Sequence, residues 1–452
     1  MTMRWEKVNL GGGGLPENEE TNHPGKRWGH TCNSVKGGQY LYVFGGYGKD
    51  NCQSNKVHVF DTAKKAWSEP TVSGSPPGPR DSHSCTSVDD NLYVFGGTDG
   101  SNPLSDLYIF DTASHSWISP PIRGDAPQPR EGHSAAVVGK RIFIFGGCGK
   151  SPINNEDIYF NDLYVLSTET LVWREMVTLG HGPSPRDSHS CSAWRNKIVV
   201  IGGEDKNDYY LSDVHVLDTE TLVWKELKTI GQKLPPRAGH ATVAIGNNIF
   251  VFGGFSDAQN LFDDVYMLNM TNCTWTKVMV AGEKPSARFS ACGASLHPAV
   301  AGALVFFGGC NSTLEALDDL MIFHTGLAQV QDDQRSDNLS FRKQLKLKCQ
   351  EYLHGGERKI FQAKVTDTFG EAYSIETHID GKALRGILFS NGVPNFRKRP
   401  TPDVEMKEAP LSSETKEAPL SCDPSPQVAV HSALPMLDLN NDMSPGVGPV
   451  TI

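Results

Sequence analysis

Hydrophobic positions in this chain come in short runs, and the runs end on paired glycines. Leu92-Tyr93-Val94-Phe95 stops at Gly96-Gly97. A polar loop follows, then Leu107-Tyr108-Ile109-Phe110, an Asp111-Thr112 turn, and Trp117. Apolar runs this short, bounded by Gly and Asp turns, predict buried strands joined as antiparallel meanders. Glycine at the run's end lets a second backbone approach closely and permits positive φ. The glycine pair recurs at Gly45, Gly96, Gly146, Gly202, Gly253 and Gly308, at intervals of 51, 50, 56, 51 and 55 residues. Six in-register copies predict an all-β chain of six four-stranded units.

Each copy opens on an arginine: Arg27-Trp28-Gly29-His30, Arg80-Asp81-Ser82-His83, Arg130-Glu131-Gly132-His133, Arg186-Asp187-Ser188-His189, Arg237-Ala238-Gly239-His240 and Arg288-Phe289-Ser290-Ala291. Prolines ahead of most of these arginines stiffen the lead-in loops. Five copies end on a tryptophan (Trp67, Trp117, Trp173, Trp224, Trp275), read as core; the sixth has none. Trp5-Glu6-Lys7-Val8 echoes those last strands, which predicts that the N-terminal strand completes the sixth unit and removes its open edge. This pattern resembles the kelch repeat, covering roughly residues 5 to 325. The resemblance implies a six-bladed β-propeller of plant type. The expected organisation is a closing strand and Gly linker at 1–20, the propeller at 21–326, a linker, helix and small β unit at 327–390, and a Pro/Ser/Glu-rich disordered tail at 391–452.

In a four-stranded meander, the loop leading into the first strand and the loop joining strands two and three lie at one end. The arginine segments and the loops after each Gly-Gly therefore share a face, with Trp28, Tyr47, Tyr209, Tyr210 and Phe255 among six arginines. Arginine and aromatic residues anchor protein interfaces. A partner-binding role for Arg27, Arg80, Arg130, Arg186, Arg237 and Arg288 predicts a partner segment carrying acidic residues, because arginine pairs bidentately with carboxylates. Residues repeated this faithfully also fit a framework role, and both readings stand. The third loop is longest, 15 positions from Gly147 to Asp162 against 9 from Gly97 to Asp106.

Charge changes the picture little: 42 Lys and Arg against 52 Asp and Glu give a net −10, which argues against a chain-wide nucleic-acid footprint. No apolar run approaches the ~18–20 residues of a membrane span. The N-terminus has no apolar signal core, so the chain is expected in the cytoplasm, the nucleus or both. The ten cysteines include no Cys-x-x-Cys; Cys32, Cys85 and Cys191 share one place in the first strand and read as small buried residues. No catalytic set, metal site or cofactor is expected. Kelch-type nitrile specifiers hold iron through Glu-x-x-x-Asp-x-x-x-His, whereas here Glu204 and Asp208 are followed by Ser212, and Glu315 and Asp319 by Phe323. The 20 residues before the first copy are expected to hold no BTB, F-box or acyl-CoA-binding module.

Beyond Leu327, the stretch Phe341 to Leu353 reads as a basic amphipathic helix, and Phe361 to Phe389 as three strands with an Asp380-Gly381 turn. The latter is similar to the segment after the propeller in a group of plant kelch proteins. In the tail, Arg397-Lys398-Arg399 is a candidate nuclear-import cluster. Leu437-Asp438-Leu439-Asn440 resembles a plant co-repressor motif in part. The expected function is a non-enzymatic interaction scaffold or adaptor. The alternatives are a nuclear transcriptional co-regulator and a ubiquitin-ligase substrate adaptor.

Overall fold

The computed structural model describes residues 3–8, 22–48, 52–257 and 260–327, and the backbone of three strands between 364 and 389. The chain divides into two units. The first is a ring of six antiparallel blades. Blade one comprises Thr31–Val35, Tyr40–Phe44, Val57–Asp61 and Ala66–Ser68. The pattern repeats to blade six, whose own strands are Cys292–Ser295, Ala303–Phe307 and Leu320–His324. Its fourth strand is the N-terminal Arg4–Lys7, in register from Arg4↔His324 to Lys7↔Met321. Trp5 thus takes the place of the missing sixth tryptophan, 4% exposed against Phe252, Phe306 and Phe323.

The second strand of every blade lies between neighbouring blades, which is why it reads as a continuous apolar run and not an alternation. Val43, Val94, Ile144, Val200, Val251 and Val305 are all fully buried. The core is correspondingly divided into one hydrophobic cluster per blade junction, the last joining blade six to blade one.

Two belts of backbone hydrogen bonds run around the ring. In one, the second glycine of each pair donates to the next blade's arginine carbonyl, from Gly46 to Arg80 onward, and Gly309 to Arg27 closes the circle. This explains the double glycine: a Cβ on Gly97 would lie 2.4 Å from the Asp81 carbonyl, and one on Gly96 2.8 Å from that of Arg130. The second belt links the third residue of each lead-in segment: Ser82 to Gly29, Gly132 to Ser82, Ser188 to Gly132, Gly239 to Ser188, Ser290 to Gly239, Gly29 to Ser290.

The second unit contains an antiparallel meander of Lys364–Phe369, Ala372–Ile379 and Lys382–Phe389. The expected helix at 341–353, the Asp380-Gly381 turn and the tail from 391 lie outside the described residues.

Candidate partner-binding face

The lead-in segment of each blade pairs with the loop after its own Gly-Gly: Trp28 with Tyr47, Asp81 with Thr98, Glu131 with Cys148, Asp187 with Glu204, Ala238 with Phe255, and Phe289 with Cys310. Both loop sets therefore share one end of the ring.

The six arginines belong to the framework, which corrects their reading as exposed contacts. All are at most 6% exposed. Arg80 donates Nη1 to Asp106 Oδ1 at 2.6 Å and Nη2 to Oδ2 at 2.9 Å, while Nη1 also reaches the Gly96 carbonyl and Nε that of Gly78. Arg130 grips Asp162 in the same way, Arg186 Asp213, Arg237 Asp264 and Arg288 Asp319. Phe160 and Phe262 stack on Arg130 and Arg237, 4.2 and 4.0 Å from ring centre to guanidinium. These side chains tie the lead-in loop to the start of the third strand. In these five blades the aspartate occupies the fork, so these arginines cannot capture a partner's carboxylate; Arg27 is buried in the same place without one. The aspartates were not singled out from sequence, although one stands just before the third strand's apolar run in every blade except the first, which has Lys56.

The histidines are latches between blades. Nε2 of His83 meets Thr31 Oγ1 at 3.0 Å, that of His133 meets Ser84, that of His189 meets Ser134, and that of His240 meets Ser190. His30 meets the Cys292 thiol. Burial, then the neighbouring arginine, pushes these imidazoles far down and keeps them neutral. The Cys85 and Cys191 thiols are pushed up to about 12 by burial, as inert interior groups should be.

What remains on the face is the second residue of each lead-in segment, and around the ring it splits in two. Blades two to four supply Asp81, Glu131 and Asp187, with Glu204 beside Asp187. Burial is the main cause that raises all four carboxyls, Glu131 and Glu204 to about 7; Asp81 then acts on Glu131, and Glu204 on Asp187. Asp187 Oδ1 is buried without a hydrogen-bond partner among the described residues. Blades five, six and one, with Tyr210 from blade four, supply an aromatic arc: Tyr210 on Phe255 (ring centres 5.5 Å apart), Phe255 on Phe289 (5.3 Å), Phe289 on Trp28 (6.1 Å) and Trp28 on Tyr47 (5.3 Å). Tyr209 stands outside it, 67% exposed. Five aromatics found from sequence are thus placed on this face, four of them in contact with Phe289 or with one another. The acidic arc was legible only as three acids in succession at one repeat position.

Among the described residues, no group of three or more His, Cys, Asp or Glu is placed to hold a metal ion, and no helix could cross a membrane. Asp319, of the second iron-like near miss, is engaged by Arg288. Arg397, Lys398, Arg399 and the Leu437–Asn440 motif lie outside the described residues.

Compared with known families, the sequence matches the KLHDC2/KLHL20/DRC7 Kelch-repeats domain over residues 1–203 and 188–365. The chain belongs to this kelch-repeat family. Acyl-CoA-binding domain-containing protein 4 of Arabidopsis thaliana is 29% identical over 248 residues, 55% of this chain and 29% of that protein. Kelch domain-containing protein 3 of Rattus norvegicus is 30% identical over 301 residues, 65% of this chain and 63% of that one. Kelch domain-containing protein 2 of Bos taurus is 32% identical over 158 residues, covering 34% and 37%. The chain thus spans less than a third of the first of these relatives and under two thirds of the second. A kelch propeller of this build is suited to act as a protein-interaction scaffold.

Proposed function

We propose that this kelch protein is a non-enzymatic scaffold that holds a linear segment of a partner protein across the loop-rich end of its ring. The observation that carries this reading is the aromatic arc from Tyr210 to Tyr47. It is built from positions that the repeat does not fix, and it stays half-buried at Trp28, Tyr47 and Tyr210. Half-exposed aromatics in contact with one another are the usual anchors of an interface. Beside them stand buried carboxyls that a cationic group would draw into the charged form. With the arginines in the framework, the segment that fits carries an apolar side chain next to a lysine or arginine, the opposite sign to an acidic one.

Affinity capture with the full chain, with Trp28→Ala/Tyr210→Ala, and with a chain ending at Phe389 tests this. A partner held through the arc should be lost by the double variant by a factor of about 30 or more. Equal recovery on the full chain and on the double variant would sink the reading. Partners that need the tail would instead favour the co-regulator reading through Leu437–Asn440, and recovery of ligase components would favour the adaptor reading. An intracellular setting, cytoplasm or nucleus, is part of this proposal, supported by the free, buried thiols of Cys32 and Cys310.

A further inference from the structure

Blade four shows a complete carboxylate clamp. The Asp213 carboxylate lies 2.6 Å from Arg186 Nη1, 2.9 Å from Nη2, and 2.9 Å from His215 Nε2. His215 Nδ1 faces the carbonyl of His181, five residues before the arginine, at 3.3 Å. Burial alone would raise this carboxyl; Arg186 and His215 outweigh it and hold the group well below the usual range.

Blade one repeats this arrangement without the acid, and without the bond that Arg186 Nε makes to the Ser184 carbonyl. Arg27 stands for Arg186. His58, two residues past position 56, stands for His215, and its Nδ1 faces the carbonyl of Asn22 at 3.3 Å, again five residues before the arginine. Position 56, however, is lysine, and Lys56 turns away to Glu69 at 3.1 Å. Arg27 donates Nη1 to the Gly45 carbonyl at 2.7 Å and Nη2 to that of Pro24. Its Nε and the Nε2 of His58 are buried without a partner among the described residues, in side chains only 6% and 3% exposed. Burial pushes the Arg27 guanidinium down to about 10 and His58 down to about 4. A buried guanidinium without a carboxylate is an unfavourable arrangement that an anion would relieve.

We propose that blade one is a binding site for an external carboxylate, held between Arg27 and His58 where five other blades carry their own aspartate. The aspartates at this place keep 12–40% of their side chains in contact with solvent, so the position opens outward. The guanidinium fork prefers a planar carboxylate to a spherical halide. The ligand is either a small free carboxylate or the acidic side chain of another protein. The site is separate from the aromatic arc and stands or falls independently of capture there.

The test is thermal melting of the full chain in sodium acetate against sodium chloride at equal ionic strength, with acetyl-Gly-Glu-Gly-amide as a second probe. Acetate should raise the wild-type melting temperature by about 2–4 °C near saturation, climbing with the logarithm of its concentration. Lys56→Asp, which supplies the acid internally, should melt higher than wild type in chloride and no longer respond to acetate. His58→Tyr places at this position the residue that blades two, three and five carry (Tyr108, Tyr164, Tyr266), and it should also lose the response. A peptide response at lower concentration than acetate assigns the site to protein side chains; a response to acetate alone assigns it to small ions. Identical melting of wild type in both salts, or an acetate gain that persists in the two variants, overturns the proposal.

Discussion

Glu131 carries its charge at a disadvantage. Burial, then Asp81 and Asp157, raise its carboxyl from 4.5 to about 7. Between those values the folded chain keeps a proton that the unfolded chain releases. Stability from this group is therefore fully present below about pH 4.5 and is lost as pH rises through about 7, by up to about 3 kcal/mol. Glu131→Gln should melt with wild type near pH 4.5 and above it near pH 8. The same offset at both values would show that ionisation is not the cause. A cation seated against the arc would reverse that loss, which is how the face could favour a basic segment. The arginines show why such roles were hard to read at this scale. Each repeats at a fixed place, but in the five blades with an aspartate that residue follows 26, 32, 27, 27 or 31 residues later, because the loop between them varies. A pair with no fixed spacing is invisible to a motif, and an unpaired arginine reads as available.

At the scale of elements, the junction between blades five and six makes an instructive exception. Four junctions latch histidine to a Ser or Thr hydroxyl and one to Cys292, but here the histidine position is Ala291 and the hydroxyl position Ala241. Losing both partners leaves nothing unsatisfied, so the change is nearly neutral where losing one would not be. Ala291→His alone should therefore destabilise by about 1–3 kcal/mol, and adding Ala241→Ser should recover about 1 kcal/mol of that. Denaturant melts of the two single variants and the double give this coupling; a value near zero would mean the latch geometry is not shared by this junction. The principal strands were legible because blades on both sides bury them into unbroken apolar runs. The short fifth strands of blades two, four and five were not. Ser73–Gly74, Leu179–Gly180 and Ile230–Gly231 pair in parallel with the last strands through backbone alone, and exposed Ser, Gly and lone aliphatic residues give no periodic signal.

The whole ring depends on one seam. The first and last strands meet in blade six, and both hydrogen-bonded belts cross the junction from there to blade one, through Gly309 to Arg27 and Gly29 to Ser290. This closure was legible from sequence because the echo at Trp5 matched a tryptophan missing 300 residues away (roughly six repeat periods). Trp5 packs on Phe323 of its own blade at 4.8 Å and on Phe252 of blade five at 5.1 Å, so it fastens the seam to the neighbouring core. Truncating a buried tryptophan costs about 3–5 kcal/mol, a large share of the ~5–15 kcal/mol by which native proteins are stable. If closure holds the ring as a unit, Trp5→Ala should lower the melting temperature in one cooperative step, and backbone amides should exchange faster in the second strands of all six blades together. Faster exchange confined to Leu320–His324 would show that the strand merely covers an edge, and that the other five blades hold themselves.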